Sequence, residues 1–169
     1  MLKEHVSYIK DLQSKAKLPK RVEIILVDDG SKDKTLEFIK KMTVEHPEEN
    51  TSTHTCFVRG LRQMVNQGKG AAVKVGALYS RGEFILMLDA DGATHFSEIE
   101  GILNKARKVR NQNNFSCVIG SRNLVEGQVK RTAIRKFLNT CMITLCGIVL
   151  GSRLKDTQCG FKIWSREAA

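Results

Sequence analysis

Short apolar runs rich in β-branched residues alternate along this chain with segments of helical periodicity, and this alternation constrains the possible folds more than any other feature. Such runs are typical of buried strands, whereas the segments between them place apolar residues on one face of a helix. The predicted strands are residues 22–27, 54–58, 83–88 and 116–120. The predicted helices are residues 2–17, 33–46, 70–80, 97–110 and 131–150, the fourth opened by a capping box formed by Ser97 and Glu100. Repeated βα units predict an α/β protein with a mostly parallel sheet flanked by helices.

The length of the chain fits a single domain. Its 169 residues are close to one average domain, and no repeat or shift in composition divides them, so residues 1–169 are interpreted as one domain. No apolar run reaches the roughly 20 residues that cross a bilayer, so neither a transmembrane helix nor a secretory signal is expected. The five cysteines form no CxxC pair, which favours free thiols in a reducing compartment.

Acidic side chains follow two of the predicted strands. Asp28 and Asp29 come at the end of the first strand, and Asp89 and Asp91 follow the third. Because parallel strands present their carboxyl ends at one edge, these carboxylates are expected to lie close together and to repel one another without a cation. Carboxylate oxygens suit Mg²⁺ or Mn²⁺, with Asp91 as the principal ligand. Each cluster alone could instead form an ordinary turn, but two clusters at strand ends favour a metal site.

A second constellation, Gly68-Lys69-Gly70, opens a predicted helix. Unpaired backbone N–H groups and the helix dipole favour an anion at such a position, and Lys69 adds a positive charge, so phosphate is the expected occupant. The segment fits neither the P-loop pattern, because Gly70 stands where serine or threonine is required, nor the dinucleotide fingerprint. A plain glycine-rich helix start is the alternative interpretation.

Basic residues dominate the charge balance. With 28 lysines and arginines against 18 acidic residues, the net charge of +10 favours nucleic acid, an anionic membrane surface or phosphate-bearing small molecules as partners. Arg122 follows the fourth predicted strand, and Arg131 and Arg135 lie one turn apart on the next helix, where guanidinium groups can bind phosphate. The apolar part of that helix, residues 137–150, is too short to cross a bilayer and lies either against anionic headgroups or in the core.

Two hypotheses from other functional classes are alternatives to an enzyme that acts on phosphate-bearing small molecules. A nucleic-acid-binding domain would use the positive charge, but aromatic residues make up only 6% and do not cluster with the basic ones, so no nucleic-acid partner is expected. A non-catalytic module that binds a sugar nucleotide without turnover is the other.

Four segments resemble, in the same order, successive motifs of the family 2 glycosyltransferases of GT-A fold, and within that family those that act on dolichyl phosphate. The segments are VEIILVDDGSKDKT, NQGKGAAVKVGALYSRGEFILMLDADGAT, IGSR and DTQCGFKIWSREAA. The resemblance implies inverting transfer of glucose from UDP-glucose to dolichyl phosphate, with Mg²⁺ or Mn²⁺, at the cytosolic face of the endoplasmic reticulum membrane. A mannosyltransferase-like or other polyprenyl-phosphate enzyme is the alternative within the family.

The resemblance also implies roles for individual residues in the donor site. Asp28 and Asp29 match the acidic pair that binds uridine, and Gly68-Lys69 falls in the turn that contacts the nucleotide. Asp89 and Asp91 match the DxD motif, which binds the metal and the nucleotide, with Asp91 as the expected metal ligand.

On the acceptor side, the resemblance places Arg122 and Arg135, with Arg131 beside them, at the phosphate of the lipid. Asp156 opens the DTQCGF motif near the reaction centre. A phosphate monoester is largely dianionic at neutral pH and needs no strong base, so Asp156 is expected to orient groups rather than to remove a proton.

The chain departs from the family pattern at both ends. Nothing in residues 1–19 resembles the membrane anchor and first strand with which family members begin, and the chain stops at residue 169, where they continue. Ala93 stands where some relatives carry a third metal ligand. The GT-A fold is therefore expected to be incomplete at both ends, and the chain by itself is expected to show little or no glucosyl transfer.

Overall fold

The computed structural model describes residues 2–48, 55–91, 96–120 and 159–169, together with Thr144. Helices and strands alternate through the first three of these stretches, which confirms the α/β expectation. The helices are α1 (Leu2–Ser14), α2 (Thr35–Glu45), α3 (Lys69–Tyr79) and α4 (Ile99–Val109). The strands are β1 (Arg21–Asp28), β2 (Thr55–Arg62), β3 (Phe84–Leu88), β4 (Cys117–Ile119) and β5 (Phe161–Ser165). Most of the predicted helix at 131–150 lies outside the described residues.

The first sheet is a parallel pair, as the βα pattern predicts. β1 and β2 are in register from Arg21 opposite Thr55 to Asp28 opposite Arg62. β2 therefore extends past Val58, where its apolar run ends, because the ladder with β1 continues. Helix α2 packs over this extension, and a Cβ on Gly60 would lie 2.4 Å from Ile39 Cγ2, so only glycine fits there.

The second sheet contains a strand that the apolar pattern did not predict. β5 lies between β3 and β4 and pairs antiparallel with both, so β3 and β4 run in the same direction. Phe161, Ile163 and Ser165 on β5 are buried, whereas Lys162 and Trp164 between them are half-buried. This alternation is the period-two pattern of a strand with one face in the core.

One apolar core joins the two sheets to helices α1 and α4. The fully buried residues include Val6, Ile9 and Leu12 on α1 and Ile102, Leu103 and Ala106 on α4. Alternate residues of β1 and β3 pack against this cluster, namely Val22, Ile24, Leu26, Phe84, Leu86 and Leu88. This packing fixes the orientation of the two strands.

The end of α1 and the start of α4 differ from what the sequence predicts. α1 ends at Ser14 rather than at residue 17, because Ala16 has a left-handed φ of +55° and the backbone N–H of Lys17 donates to the carbonyl oxygen of Leu12. The buried amide nitrogen of Gln13 lies within hydrogen-bond distance of the backbone oxygens of Pro19, Lys20 and Thr55 and holds the turn into β1. The capping box predicted for α4 is wrong. The helix begins after a 3₁₀ turn, Phe96–Glu98, and no side chain caps it.

β1 and β3 each have a ladder partner on one edge only, within the described residues. Polar contacts instead link β1 and α3 to the residues that flank β3. Near the amino ends, the Glu23 carboxylate accepts a hydrogen bond from the backbone N–H of Arg81 at 3.0 Å. Near the carboxyl ends, Lys69 on α3 reaches Asp89 after β3. No helix within these stretches has the length and apolar character needed to cross a bilayer.

A charged network surrounds Glu23, whose side chain is only 9% exposed. Its carboxylate accepts hydrogen bonds from Arg59 and Arg81. Burial raises the pKa of Glu23, but these hydrogen bonds outweigh burial, and the net pKa lies below its ordinary value. Because the folded pKa is below the unfolded pKa, the resulting stability is present above the unfolded pKa and is lost as the pH falls through the folded pKa.

Replacing Glu23 with glutamine is accordingly expected to lower the free energy of unfolding by about 1–3 kcal/mol at pH 7. The difference from the unsubstituted chain should shrink at pH 3, and urea unfolding at both pH values measures it. Glu37→Gln, an exposed site on α2, is the control. An equal loss for Glu23→Gln at both pH values would contradict the role of its charge.

Candidate functional site

Acidic and basic side chains meet at the carboxyl ends of β1 and β3. Asp28 is the last residue of β1, Asp29 follows it, and Asp89 directly follows β3. The amino end of α3, with Gly68 and Lys69, lies between them through hydrogen bonds to Asp29 and Asp89. Contacts with the helix start thus link the two strand ends, with β1 in the first sheet and β3 in the second. The sequence predicted that the two acidic clusters would lie close together, but not that the helix start would contact both.

Asp28 is almost fully buried, at 1% exposure. Its Oδ1 accepts a hydrogen bond from the backbone N–H of Ser31 at 2.9 Å, but Oδ2 has no hydrogen-bond partner among the described residues. Arg62 Nε lies 3.7 Å from Oδ2 and supplies a positive charge without a hydrogen bond. A buried carboxylate oxygen without a donor is costly, which marks Asp28 Oδ2 as an unsatisfied acceptor.

Asp29 ties the loop after β1 to the start of α3. Its two oxygens accept hydrogen bonds from the backbone N–H groups of Gln67 at 2.9 Å and Gly68 at 2.7 Å. The same loops touch at Gly30, whose φ is +72° and where a Cβ would lie 2.9 Å from the nitrogen of Asn66. Asp29 thus sets the position of the helix start, in addition to lying at the edge where a nucleotide was expected.

Lys69 and Asp89 form the central ion pair of this edge. Lys69 Nζ lies 2.7 Å from Asp89 Oδ2, with the lysine side chain 59% and the aspartate side chain 27% exposed. The pair is open to solvent on the lysine side, so an incoming ligand can reach it. Coulomb attraction in such a setting is modest, because water screens it.

Gly160 supports Asp89 from the side of β5. The backbone N–H of Asp89 donates to the carbonyl oxygen of Gly160 at 3.1 Å, and a Cβ on Gly160 would lie 2.0 Å from Asp89 Oδ2. Sequence reasoning missed this role for Gly160. Its place inside the DTQCGF segment was the available signal, but the contact joins residues 71 positions apart in the chain.

The donor set for a metal ion consists of carboxylates from one short segment. Asp89 is half-buried and Asp91 is exposed, just beyond the end of β3. In the part of the chain that the structure describes, no three histidine, cysteine or acidic side chains converge on one point. Mg²⁺ is usually held by one or two carboxylates together with substrate phosphates and water, so this pair fits an ion shared with a diphosphate rather than a closed protein site.

The expected acceptor residues lie outside the described residues. They are Arg122, Arg131, Arg135 and Asp156. Their roles remain predictions.

Taken together, carboxylates at two strand ends, a helix start with a lysine and a pair of metal-type ligands are features of an α/β protein with a ligand site at the ends of its strands. Comparison with known families agrees with this class. The model of glycosyl transferase family 2 matches residues 7–169. The chain belongs to this family, and the match confirms the GT-A type of α/β fold.

The curated relatives that match this chain share one name. The chain is 44% identical over 175 aligned positions to a dolichyl-phosphate beta-glucosyltransferase of Trichomonas vaginalis, with all of this chain and 48% of that protein covered. Proteins of the same name from Dictyostelium discoideum and Homo sapiens are 40% and 37% identical, with all of this chain and 50% and 51% of those proteins covered. The chain therefore spans about half the length of the curated relatives that it matches.

Proposed function

We propose that residues 1–169 belong to one GT-A domain that binds UDP-glucose for inverting transfer of glucose to dolichyl phosphate. The observation that carries the proposal is the set of contacts by which the start of α3 links Asp28 and Asp29 at the end of β1 to Asp89 at the end of β3. Glycosyl transfer from a nucleotide sugar needs a site for the base, a site for the diphosphate and a cation for the leaving group. The residues at the ends of β1 and β3 support a proposal that places all three close together.

The donor nucleotide would use the described residues as follows. The unpaired oxygen of Asp28 would accept a hydrogen bond from the N–H of the uracil ring. The helix start would bind the diphosphate through the backbone N–H groups of Lys69 and Gly70 and through the Lys69 ammonium, since the Gly68 N–H is already bonded to Asp29. Asp89 and Asp91 would hold Mg²⁺ or Mn²⁺, which, when bound, would stabilise the charge that develops on the departing UDP.

The acceptor would be a dianionic phosphate on a lipid. Arg122, Arg131 and Arg135 would hold that phosphate in line with the sugar carbon, since catalysis of this kind depends on position and charge. Asp156 would orient groups at the reaction centre. The basic residues around 131–155 would also favour an anionic membrane surface, which supports a location at the cytosolic face of the endoplasmic reticulum membrane.

A binding titration tests this function directly. UDP and UDP-glucose should bind the 169-residue chain in the presence of Mn²⁺ or Mg²⁺, and excess chelator should weaken binding by about tenfold or more, since a shared cation neutralises both the carboxylates and the diphosphate. Calorimetry measures both affinities. GDP-mannose and a single-stranded oligonucleotide serve as competing ligands.

Each outcome of this titration has a defined meaning. Equal UDP affinity with and without chelator would contradict the role of the metal. Preferential binding of GDP-mannose would favour the mannosyltransferase-like alternative. Binding of the oligonucleotide but not of UDP would contradict the glycosyltransferase function.

A further inference from the structure

The ion pair between Lys69 and Asp89 occupies a carboxylate oxygen that the proposed donor site also needs. Asp89 Oδ2, at 2.7 Å from Lys69 Nζ, is one of the four carboxylate oxygens that the Asp89 and Asp91 pair offers to a cation. A lysine ammonium and a divalent ion cannot share this oxygen at close range, because their positive charges repel one another. Lys69 and a metal ion that binds through Oδ2 are therefore competitors at Asp89.

Of the two partners in this pair, Lys69 is the one with room to move. Its side chain is 59% exposed, and lysine has a long flexible stem. Asp89 is held in place, since its backbone N–H donates to the carbonyl oxygen of Gly160 and its carboxylate lies against Gly160, which directly precedes β5. A ligand that breaks the pair would therefore displace the lysine and leave the carboxylate where it is.

The position of Lys69 at the first turn of α3 gives the displaced ammonium a second partner. Residue 69 is the first residue of the helix, next to the N–H groups that would bind a diphosphate. A lysine ammonium there can pair with phosphate oxygens after leaving Asp89. The Lys69 side chain can thus pair with the Asp89 carboxylate before the nucleotide binds and with the phosphate afterwards.

We propose that Lys69 holds the place of the metal ion at Asp89 in the free protein and transfers to the diphosphate when metal and nucleotide bind. The inference rests on the proposed function, and it makes metal and nucleotide bind with positive cooperativity. A metal ion that binds alone breaks the ion pair between Lys69 and Asp89, and Lys69 gains no new partner. A metal ion that binds together with the nucleotide breaks the same pair, but Lys69 then pairs with the diphosphate.

Substitution of Lys69 by glutamine tests the exchange, because the two binding reactions should respond in opposite directions. Mn²⁺ alone, measured by the electron paramagnetic resonance signal of the free ion, should bind Lys69→Gln about two- to fivefold more tightly than it binds the unsubstituted chain. UDP at saturating Mn²⁺, measured by calorimetry, should bind the same variant about tenfold more weakly. A structural defect would weaken both reactions.

Two matched variants control for charge and for helix stability. Lys74→Gln removes the same charge from an exposed position on the same helix and should leave both affinities within about twofold, as expected for a screened surface charge. Lys69→Arg keeps the charge and should retain the weaker affinity for Mn²⁺ alone. Thermal unfolding of each variant confirms that the fold is retained.

The results separate this inference from the function on which it rests. If Mn²⁺-dependent UDP binding is present but Lys69→Gln shifts both affinities in one direction, or leaves the affinity for Mn²⁺ alone unchanged, the exchange is wrong and the function stands. If no variant and no unsubstituted chain binds UDP with Mn²⁺, the function fails and the exchange fails with it.

Discussion

Exchange of Asp28 for asparagine is expected to weaken UDP binding about 10- to 100-fold without lowering the free energy of unfolding. Asparagine can keep the hydrogen bond from the Ser31 N–H, but it places an amide N–H₂ where Oδ2 now lacks a donor. A ligand N–H group would then meet another donor. The fold loses only a buried charge, since Arg62 is 44% exposed and remains solvated.

Calorimetry with UDP and urea unfolding measure the two effects of this substitution. Asp11→Asn, on the exposed face of α1, controls for the loss of one negative charge. Unchanged UDP affinity in Asp28→Asn would show that Asp28 serves the turn after β1 rather than the nucleotide. A large fall in stability would show that its charge supports the fold.

Replacing Gly160 with alanine is expected to weaken Mn²⁺-dependent UDP binding by about tenfold or more and to lower the free energy of unfolding by about 1–3 kcal/mol. The added Cβ would lie 2.0 Å from Asp89 Oδ2 and 3.0 Å from Asp89 Cβ, so the carboxylate must rotate away from Lys69. The damage should therefore fall on the site more than on the core. Calorimetry and urea unfolding again give the two quantities.

Gly101→Ala is the matched control for Gly160→Ala. A Cβ at residue 101 on α4 meets no atom within 4 Å, and alanine in a helix interior should raise stability by up to about 1 kcal/mol. Combining Gly160→Ala with Asp89→Ala removes the carboxylate from the clash and should recover part of the lost stability. No recovery would contradict the contact with Asp89 as the cause.

The acidic residues of the site can be predicted from the local sequence. Asp28 and Asp89 each come directly after an apolar run, and the end of such a run is readable without knowledge of the rest of the chain. Lys69 is equally local, because a glycine-flanked lysine marks a helix start. In the structure, the start of α3 contacts both Asp29 and Asp89 and so links the two strand ends.

Features set by long-range pairing did not follow from local sequence. β5 joins residues near 165 to residues near 84 and 117, so neither its insertion between β3 and β4 nor the role of Gly160 was visible in a local window. The length of β2 depends on its ladder with β1. The capping box at Ser97 failed because a 3₁₀ turn precedes α4 and Phe96 stacks on His5 at 4.1 Å, which fixes the chain before the helix begins.

The second edges of β1 and β3, which lack a ladder partner among the described residues, have a consequence for the protein's exchange with solvent. In a strand paired on one side, the backbone N–H groups that point away from the partner have no bond to break before deuterium enters. Where these edges stay open in solution, every second amide of β1 should exchange far faster than its neighbours. The same row of amides and carbonyls would then be a template on which another extended chain can pair, so deuterium exchange along β1 also measures how exposed the molecule is to self-association.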